Sequence, residues 1–249
     1  MSNRLIVILT VTLVLIAAVF LFTPPIPQDP AYHRFSDVRN LFSIPNFWNV
    51  MSNLPFLLVG VAGVWYLRDN ADRVCVPGTV VAYQVFFAGV LLTAFGSAYY
   101  HLAPANETLV WDRLPMTISF AGLLTIIIAE FVSGNAARRL LVPFLLFGIA
   151  SVAYWAWTES RGVGDLRPYA LVQFLPILLI PVVLLTHQPT IGQRKYFWWM
   201  LMFYLVAKGL EFLDPAILSM GNLISGHSLK HVAASMTPAI FLYALMQRR

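Results

Sequence analysis

Residues Gly96–Asp112 read GSAYYHLAPANETLVWD and join two long apolar runs of the sequence. Ser97 and His101 lie four residues apart at the end of the first run, and Asp112 opens the second. Polar and ionisable side chains are costly to keep at the edge of a bilayer, so they indicate a functional site by default. A second pair of polar residues with the same spacing stands far along the chain, in the segment GHSLKH. If these two segments form one site, the fold has to bring them together.

The composition is that of an integral membrane protein. Of the 249 residues, 59% are hydrophobic and 11% are charged, and the mean hydropathy is +0.74. A soluble domain would carry about 25% charged residues. The net charge of +5 does not indicate a nucleic-acid partner, because the basic residues lie between apolar runs, where they orient spans and contact anionic lipid head groups. The single cysteine, Cys75, excludes an intrachain disulfide and a cysteine metal cluster.

Eight apolar runs are long enough to cross a hydrocarbon core of about 30 Å. They are Leu5–Phe22, Trp48–Leu67, Val80–His101, Leu114–Ser133, Leu140–Trp157, Tyr169–Thr186, Tyr196–Leu213 and Ser228–Met246. This pattern predicts an all-α, polytopic membrane helix bundle with a seven-span core and one extra N-terminal transmembrane helix. The expected division is an anchor (residues 1–23), a non-cytoplasmic connecting segment (24–45) and the seven-span domain (46–249). The sequence carries no signal for an oligomeric state.

The first run is predicted to be a retained anchor rather than a cleaved signal peptide. No small-residue cleavage site follows it, and Phe22 is succeeded by a threonine and two prolines. With eight spans, both termini lie on the same side of the membrane. That side carries more lysine and arginine than the other, so the positive-inside rule predicts that both termini are cytoplasmic.

The predicted topology brings polar residues of separate runs to one membrane depth. The third run travels outward, so Ser97 and His101 lie near its outer end, and the fourth run begins there with Asp112 at its mouth. The eighth run also begins on that side, with His227 and His231 in its first turns. The candidate site is therefore predicted to face the non-cytoplasmic side, open to lipid and to water.

Other polar and small residues share that depth. Asn49 and Asn53 begin the second run, and Lys208 and Glu211 end the seventh, so all four are candidates to support the site. The alternative interpretations are that the asparagines only hydrogen-bond between helices and that Lys208 and Glu211 only form an internal ion pair. Small and aromatic residues near the outer ends are predicted to line the opening: Gly96, Tyr99, Tyr100 and Trp111.

The histidines have the spacing of metal ligands. Residues four apart share one face of a helix, and two histidines so spaced commonly bind zinc. His227, His231 and His101 would supply three nitrogens, which is the ligand count of a catalytic zinc site with one open position. Asp112 would then handle the proton of an attacking water, and Ser97 would donate a hydrogen bond to a developing oxyanion.

Two other classes of function fit the same residues. A lipid-sensing receptor or transporter could hold a structural metal, with Asp112 as a fourth ligand that closes the site. A channel or proton relay could use carboxylates inside spans, but no span carries a regular ladder of polar groups.

The set Ser97, His101, Asp112, His227 and His231 resembles the superfamily of seven-span membrane hydrolases that contains alkaline ceramidases, adiponectin-receptor-like proteins and Per1 lipid-remodelling proteins. The stretch NFWNVMSNLPFLLVG, at residues 46–60, is similar to the alkaline ceramidase branch. The resemblance covers the chain from there to the C-terminus.

This resemblance implies an intramembrane zinc amidase that cleaves ceramide to a sphingoid base and a fatty acid. His101, His227 and His231 would hold the zinc, Asp112 would act on the water, and Ser97 would act at the carbonyl oxygen. The alternative is a lipid-sensing receptor, or a hydrolase of another acyl lipid, with the same metal site. Animal members carry a calcium-binding glutamate where this chain has Asn46, so calcium regulation is not expected.

Overall fold

The computed structural model describes residues 3–248, and within them the chain is α-helical, with no β-strand. Ten α-helices and one short 3-10 helix (Pro30–His33) follow one another along these residues. The α-helices are α1 (Asn3–Phe22), α2 (Phe47–Met51), α3 (Leu54–Val74), α4 (Val80–Leu102), α5 (Asn106–Phe131), α6 (Gly134–Ser160), α7 (Arg167–Thr186), α8 (Arg194–Phe212), α9 (Asp214–Gly221) and α10 (Gly226–Met246).

Six helical segments of this described part are long and apolar enough to cross a membrane. They are α2 and α3 taken as one segment, then α4, α5, α6, α7 and α10. The described part of α1 adds a shorter apolar helix, Thr10–Phe22, and α8 mixes its apolar residues with four charged ones. The all-α membrane bundle is thus confirmed, whereas the exact count of eight spans stays a prediction.

The fourth predicted span begins earlier than the sequence indicated, and this corrects the position of Asp112. Helix α5 starts at Asn106 instead of Leu114, so Asp112 lies in its second turn and not at its mouth. The side chain of Thr108 satisfies the helix start, because its hydroxyl accepts from the Ala105 amide (3.1 Å) and donates to the Ala103 carbonyl (2.7 Å).

Two other predicted segments are divided differently. The second run breaks at Ser52 and Asn53 into α2 and α3, where a proline, which has no amide hydrogen, stands in the first turn of α3. The predicted loop after the seventh run contains α9, which also begins with a proline in its first turn. Both breaks lie at the end of the bundle that holds the candidate site.

Two glycines allow the helices around the site to approach closely. A Cβ atom on Gly96 would lie 2.0 Å from the carbonyl oxygen of Trp111, so only glycine allows α4 to meet α5 at this point. A Cβ atom on Gly226 would lie 2.3 Å from the carbonyl oxygen of Leu210, where α10 meets α8. Each glycine precedes a candidate site residue, so these contacts set the positions of Ser97 and His227.

The opposite end of the bundle is filled by an aromatic core and a buried ion pair. Tyr83, Phe87 and Phe241 stack there. Beside them Glu130, which is fully buried, accepts from the Tyr83 hydroxyl at 2.7 Å and from the Arg248 guanidinium at 2.8 Å. These contacts join the residue after α10 to α4 and α5. They lie at the opposite end of the bundle from the candidate site.

Candidate metal centre

Three buried histidines meet where the C-terminal end of α4 lies against the first two turns of α10. His101, His227 and His231 each present a ring nitrogen, and these nitrogens all lie within 4.8 Å of one another. Their rings are 4.9–5.0 Å apart between centroids. The sequence predicted this meeting from helical spacing and topology, and the structure brings the three residues together.

The spacing of two of these nitrogens fits a tetrahedral metal. Nε2 of His101 and Nε2 of His227 lie 3.4 Å apart. Zinc–nitrogen bonds of about 2.0–2.1 Å in a tetrahedral site separate two ligand nitrogens by roughly 3.3–3.4 Å. The other nitrogen of His101, Nδ1, is buried and has no hydrogen-bond partner among the described residues.

His231 is held in the tautomer that a metal ligand needs. The hydroxyl of Ser52 donates to the carbonyl oxygen of Asn49 (3.2 Å), so its oxygen accepts from Nδ1 of His231 (2.7 Å). With the proton on Nδ1, Nε2 carries the free lone pair. Ser52 lies in the break between α2 and α3, which the sequence analysis did not foresee, and this contact was therefore missed.

The side chains of the two predicted asparagines hydrogen-bond to the backbone and to a serine, and none of these bonds goes to a histidine ring. Asn49 is fully buried; its Nδ2 donates to the carbonyl of Asp37 (3.0 Å), and its Oδ1 accepts from the hydroxyl of Ser228 (2.8 Å). Asn53 donates to the carbonyl of Asn49 at 2.8 Å. These bonds join α2, the connecting segment and α10 around the histidine cluster.

Ser97 and Asp112 lie together on a cavity beside the histidines. The Ser97 side chain is a near neighbour of the Asp112 carboxylate, and both line the cavity together with His231. The cavity has a volume of about 450 Å³ and its other walls are largely apolar, with Phe86 and Leu123 among them. This volume is in the range of small-molecule pockets. Asp112 does not belong to the group of ligand atoms within 4.8 Å of one another.

A charged cluster on α8 and α10 faces the same cavity. Glu211 accepts from Lys208 at 2.8 Å and also from Lys230, whose position between the two histidines of α10 makes it a neighbour of the metal centre. The predicted internal pair of Lys208 and Glu211 is therefore a trio. The sequence analysis missed Lys230, although its place within GHSLKH was a signal.

The connecting segment covers the histidines, and the sequence analysis did not predict this. The ring of Phe35, only 8% exposed, packs at 4.7 Å from that of His101 and 4.6 Å from that of His227 between centroids. His33 bonds to the Tyr100 hydroxyl and to the side-chain oxygen of Asn106, at 2.9 Å each. The segment is therefore an ordered cover over the site.

Two acidic residues fasten this cover. Arg39 makes paired hydrogen bonds to Asp37 and donates to the carbonyls of Asn222 and Leu223, and the Arg39 guanidinium lowers the pKa of the Asp37 carboxyl below its usual value. Asp214 accepts from the backbone amide of His227 at 2.7 Å and from the amide of the residue after Phe35 at 3.2 Å. One carboxylate thus connects the cover to the end of α10 that carries His227 and His231.

The residues predicted to line an opening have other positions. Gly96 and Trp111 form the close contact between α4 and α5, and Tyr100 is buried under the connecting segment. Tyr99 is half exposed, and none of the four lines the cavity beside the histidines. The cavity lies between α4, α5, α7, α8 and α10, and these four residues are not on its walls; that they line an opening to lipid stays a prediction.

Asn46, at the position where animal relatives carry a calcium-binding glutamate, has a structural role. Its backbone is in the left-handed region (φ 49°), which asparagine tolerates well, and its side chain donates to the carbonyl of His101 at 2.8 Å. Of the nearby carboxylates, Asp37 is paired with Arg39, and Asp29 accepts from a backbone amide. That calcium does not regulate this chain stays a prediction.

Comparison with known proteins gives this geometry its context. The model of the family described as Ceramidase matches residues 41–248. The chain belongs to the ceramidase family. The resemblance seen in the sequence is thereby confirmed, and membership in the ceramidase family implies an amide hydrolase with a lipid substrate, embedded in a membrane. The match begins in the connecting segment, after α1, and includes all the histidines of the cluster. No curated protein matches the chain.

Proposed function

We propose that this ceramidase-family chain is a zinc-dependent amidase that hydrolyses ceramide to a sphingoid base and a free fatty acid. The observation that carries the proposal is the cluster of three buried histidine nitrogens beside a cavity that also holds a carboxylate and a hydroxyl. The family match supports the reaction class. Apolar walls around the cavity suit the hydrocarbon chains of the lipid.

The donor set fits a catalytic zinc better than a closed structural one. Three neutral imidazoles are a common ligand set for zinc with one open coordination position. Asp112 stands outside this set and lines the neighbouring cavity, which supports a role other than that of a permanent ligand. When bound, zinc supplies Lewis acidity that polarises the amide carbonyl and lowers the pKa of water to about 7.

Asp112 and Ser97 perform the proton and oxyanion steps of the proposal. Asp112 takes one proton from the attacking water and passes it to the leaving nitrogen, so water and amide give a fatty acid and an amine. Ser97 donates its hydroxyl hydrogen to the carbonyl oxygen as negative charge develops there. Both side chains line the cavity in which the substrate would bind.

The proposed placement in the membrane follows from the same residues. Both termini are cytoplasmic, and the histidine cluster faces the non-cytoplasmic side. Residues 1–23 form the anchor helix, residues 24–45 cover the metal centre, and residues 46–249 form the seven-span catalytic domain. Asn49, Asn53, Lys208 and Glu211 support the site by holding its helices in register.

The decisive experiment is a lipid panel with the purified protein. Release of fatty acid from ceramide is measured beside release from phospholipids and other acyl lipids, before and after treatment with a zinc chelator. Activity on ceramide that disappears with chelation and returns with added zinc is the expected result. Binding of lipid without hydrolysis of any panel member would favour the receptor interpretation.

A further inference from the structure

Arg113 lines the cavity but has no part in the proposed reaction. It follows Asp112 on α5 and is only 5% exposed. Its Nη2 donates to the side-chain oxygen of Gln28 at 2.6 Å, whereas its Nη1 is buried and has no hydrogen-bond partner among the described residues. Within that part of the chain no carboxylate forms an ion pair with it.

Such a guanidinium is costly to bury without a counter-charge. Removing an unpaired charge from water requires compensation from a partner of opposite sign. The rings of Trp155 and Tyr169 lie 4.1 Å and 4.8 Å from the guanidinium carbon of Arg113, so cation–π attraction compensates in part. Aromatic faces hold the guanidinium in place, but they leave the hydrogen-bond donors of Nη1 without an acceptor among the described residues.

The charged side chains that line the cavity have a net positive charge. Lys208 and Lys230 share one carboxylate, that of Glu211, and Asp112 is the other carboxylate on the walls. With all side chains in their ordinary charge states, the three cations outnumber the two anions before any metal is counted. A metal ion bound by the histidines would add to this positive excess.

We propose that Arg113, assisted by Lys208 and Lys230, binds an oxyanion carried by the lipid that occupies this cavity. The proposal rests on the proposed function and specifies its substrate class. Ceramide is neutral, so the oxyanion belongs either to the head group of an anionic amide lipid or to the carboxylate of a released fatty acid. Carboxylate and phosphate both match the fork of donors on a guanidinium.

A binding experiment tests the oxyanion site independently of catalysis. Dodecanol, dodecanoate and dodecyl phosphate share one chain and differ in the head group, and their affinities are measured on the unmodified protein and on Arg113→Met. The anionic probes should bind the unmodified protein more tightly than dodecanol does. The substitution should weaken the anionic probes by roughly 10- to 100-fold, as expected for a charge-assisted hydrogen bond, and leave dodecanol unchanged. Equal weakening of all three probes would overturn the proposal.

Arg167→Met is the matched control. Arg167 also stacks on an aromatic ring, but it is paired with Asp165 and does not line the cavity. Its loss should lower thermal stability without changing discrimination between anionic and neutral probes. If Arg113→Met does not fold, Lys208→Met carries the test, with a smaller loss of anion affinity as the expected result. Unchanged anion affinity in Lys208→Met would then count against the site.

The source of the oxyanion is separated by kinetics on matched lipids. The ratio of kcat/KM for ceramide 1-phosphate or an N-dodecanoyl amino acid to that for ceramide is compared between the unmodified protein and Arg113→Met. A ratio above one that falls in the variant assigns the oxyanion to the head group. A ratio near one, with weaker inhibition by dodecanoate in the variant, assigns it to the product. If no amide lipid is hydrolysed, the proposed function fails while the binding measurement still decides the oxyanion site.

Discussion

Nε2 of His101 and Nε2 of His227 lie 3.4 Å apart, although the residues are separated by 126 positions in the sequence. Two neutral imidazoles at this distance gain little from each other. A cation between them turns the same arrangement into a favourable one.

Each histidine of the cluster is expected to be required for metal binding. Elemental analysis of the purified protein should give about one zinc per chain, and His101→Ala, His227→Ala and His231→Ala should each lose most of it, because two imidazoles hold zinc far more weakly than three. His33→Ala is the control, since His33 bonds to Tyr100 and Asn106 outside the cluster. Full zinc in one of the three variants would remove that residue from the ligand set.

The Asp112→Asn variant should retain zinc but lose most of its hydrolytic activity. The amide has nearly the shape of the carboxylate but is not a base, so hydrolysis should fall by at least about a hundredfold with zinc content unchanged. Rates and zinc content are measured on the same preparation. Loss of the metal in this variant would instead make Asp112 a fourth ligand and favour the structural or receptor interpretation.

Ser97→Ala should lower kcat by about 10²–10³-fold if Ser97 donates to the developing oxyanion. Its effect on KM should be small, because the contact strengthens only in the transition state. A control for packing is Ser235→Ala, a buried serine of α10 that bonds only to its own helix among the described residues. An unchanged kcat in Ser97→Ala would show that the hydroxyl has no role at the carbonyl.

Phe35→Ala should uncover the metal centre. Removing a buried phenylalanine typically costs about 3–5 kcal/mol, and here it also opens the face of the His101 and His227 rings to water. The expected result is a lower unfolding temperature and faster loss of zinc to a chelator. Phe42→Ala, at an exposed position of the same segment, should change neither. Zinc loss at the unmodified rate would mean that the cover does not control access.

The ion pair between Asp37 and Arg39 should make the thermal stability of the protein depend on pH in acid. The guanidinium lowers the pKa of Asp37 in the folded protein below the value of about 3.9 in the unfolded chain. The pairing therefore stabilises the fold fully above about pH 4, and this contribution is lost as pH falls through the folded-state pKa. The Tm difference between the unmodified protein and Asp37→Asn should be constant near neutrality and shrink in acid.

Asp69→Asn is the control for that pH series, because the pair of Arg68 and Asp69 is exposed and long at 4.0 Å. Its Tm should follow that of the unmodified protein at every pH. A Tm difference between the unmodified protein and Asp37→Asn that grows as the pH falls would contradict a stabilising ion pair between Asp37 and Arg39.

The sequence was sufficient to predict the residues that repeat at helical spacing. Ser97 with His101, and His227 with His231, are each one turn apart, and the topology of apolar runs was enough to predict that they meet. Asp112 lines one cavity with His231, although its helix begins earlier than expected, and its catalytic role stays a prediction. A polar stretch such as Asn106–Thr108 has the composition of a loop, and only the cap formed by Thr108 turns it into a helix start.

Helical spacing could not predict the cover formed by the connecting segment or the burial of Arg113 in the cavity wall. Phe35 reaches the histidines from a segment without helical period, and its contact with them depends on distant bonds to Asp214 and Asn222. Arg113 stands on the predicted outer side, where an arginine is ordinarily a solvated or lipid-contacting charge. Its burial follows from the packing of Trp155 on α6 and Tyr169 on α7, the next two helices of the chain, and no local pattern encodes that.

The division of the ligands between α4 and α10 has a consequence for biosynthesis. When α4 and α5 have been synthesised, only His101 of the three histidines is present. His227 and His231 follow with α10. A metal that needs all three histidines could therefore be bound only after α10 has been made, whereas Phe35 and its segment are made before any of the three. A chain that stops before Gly226 would carry only one of the three candidate ligands, and its cover would lack the His227 ring on which Phe35 packs.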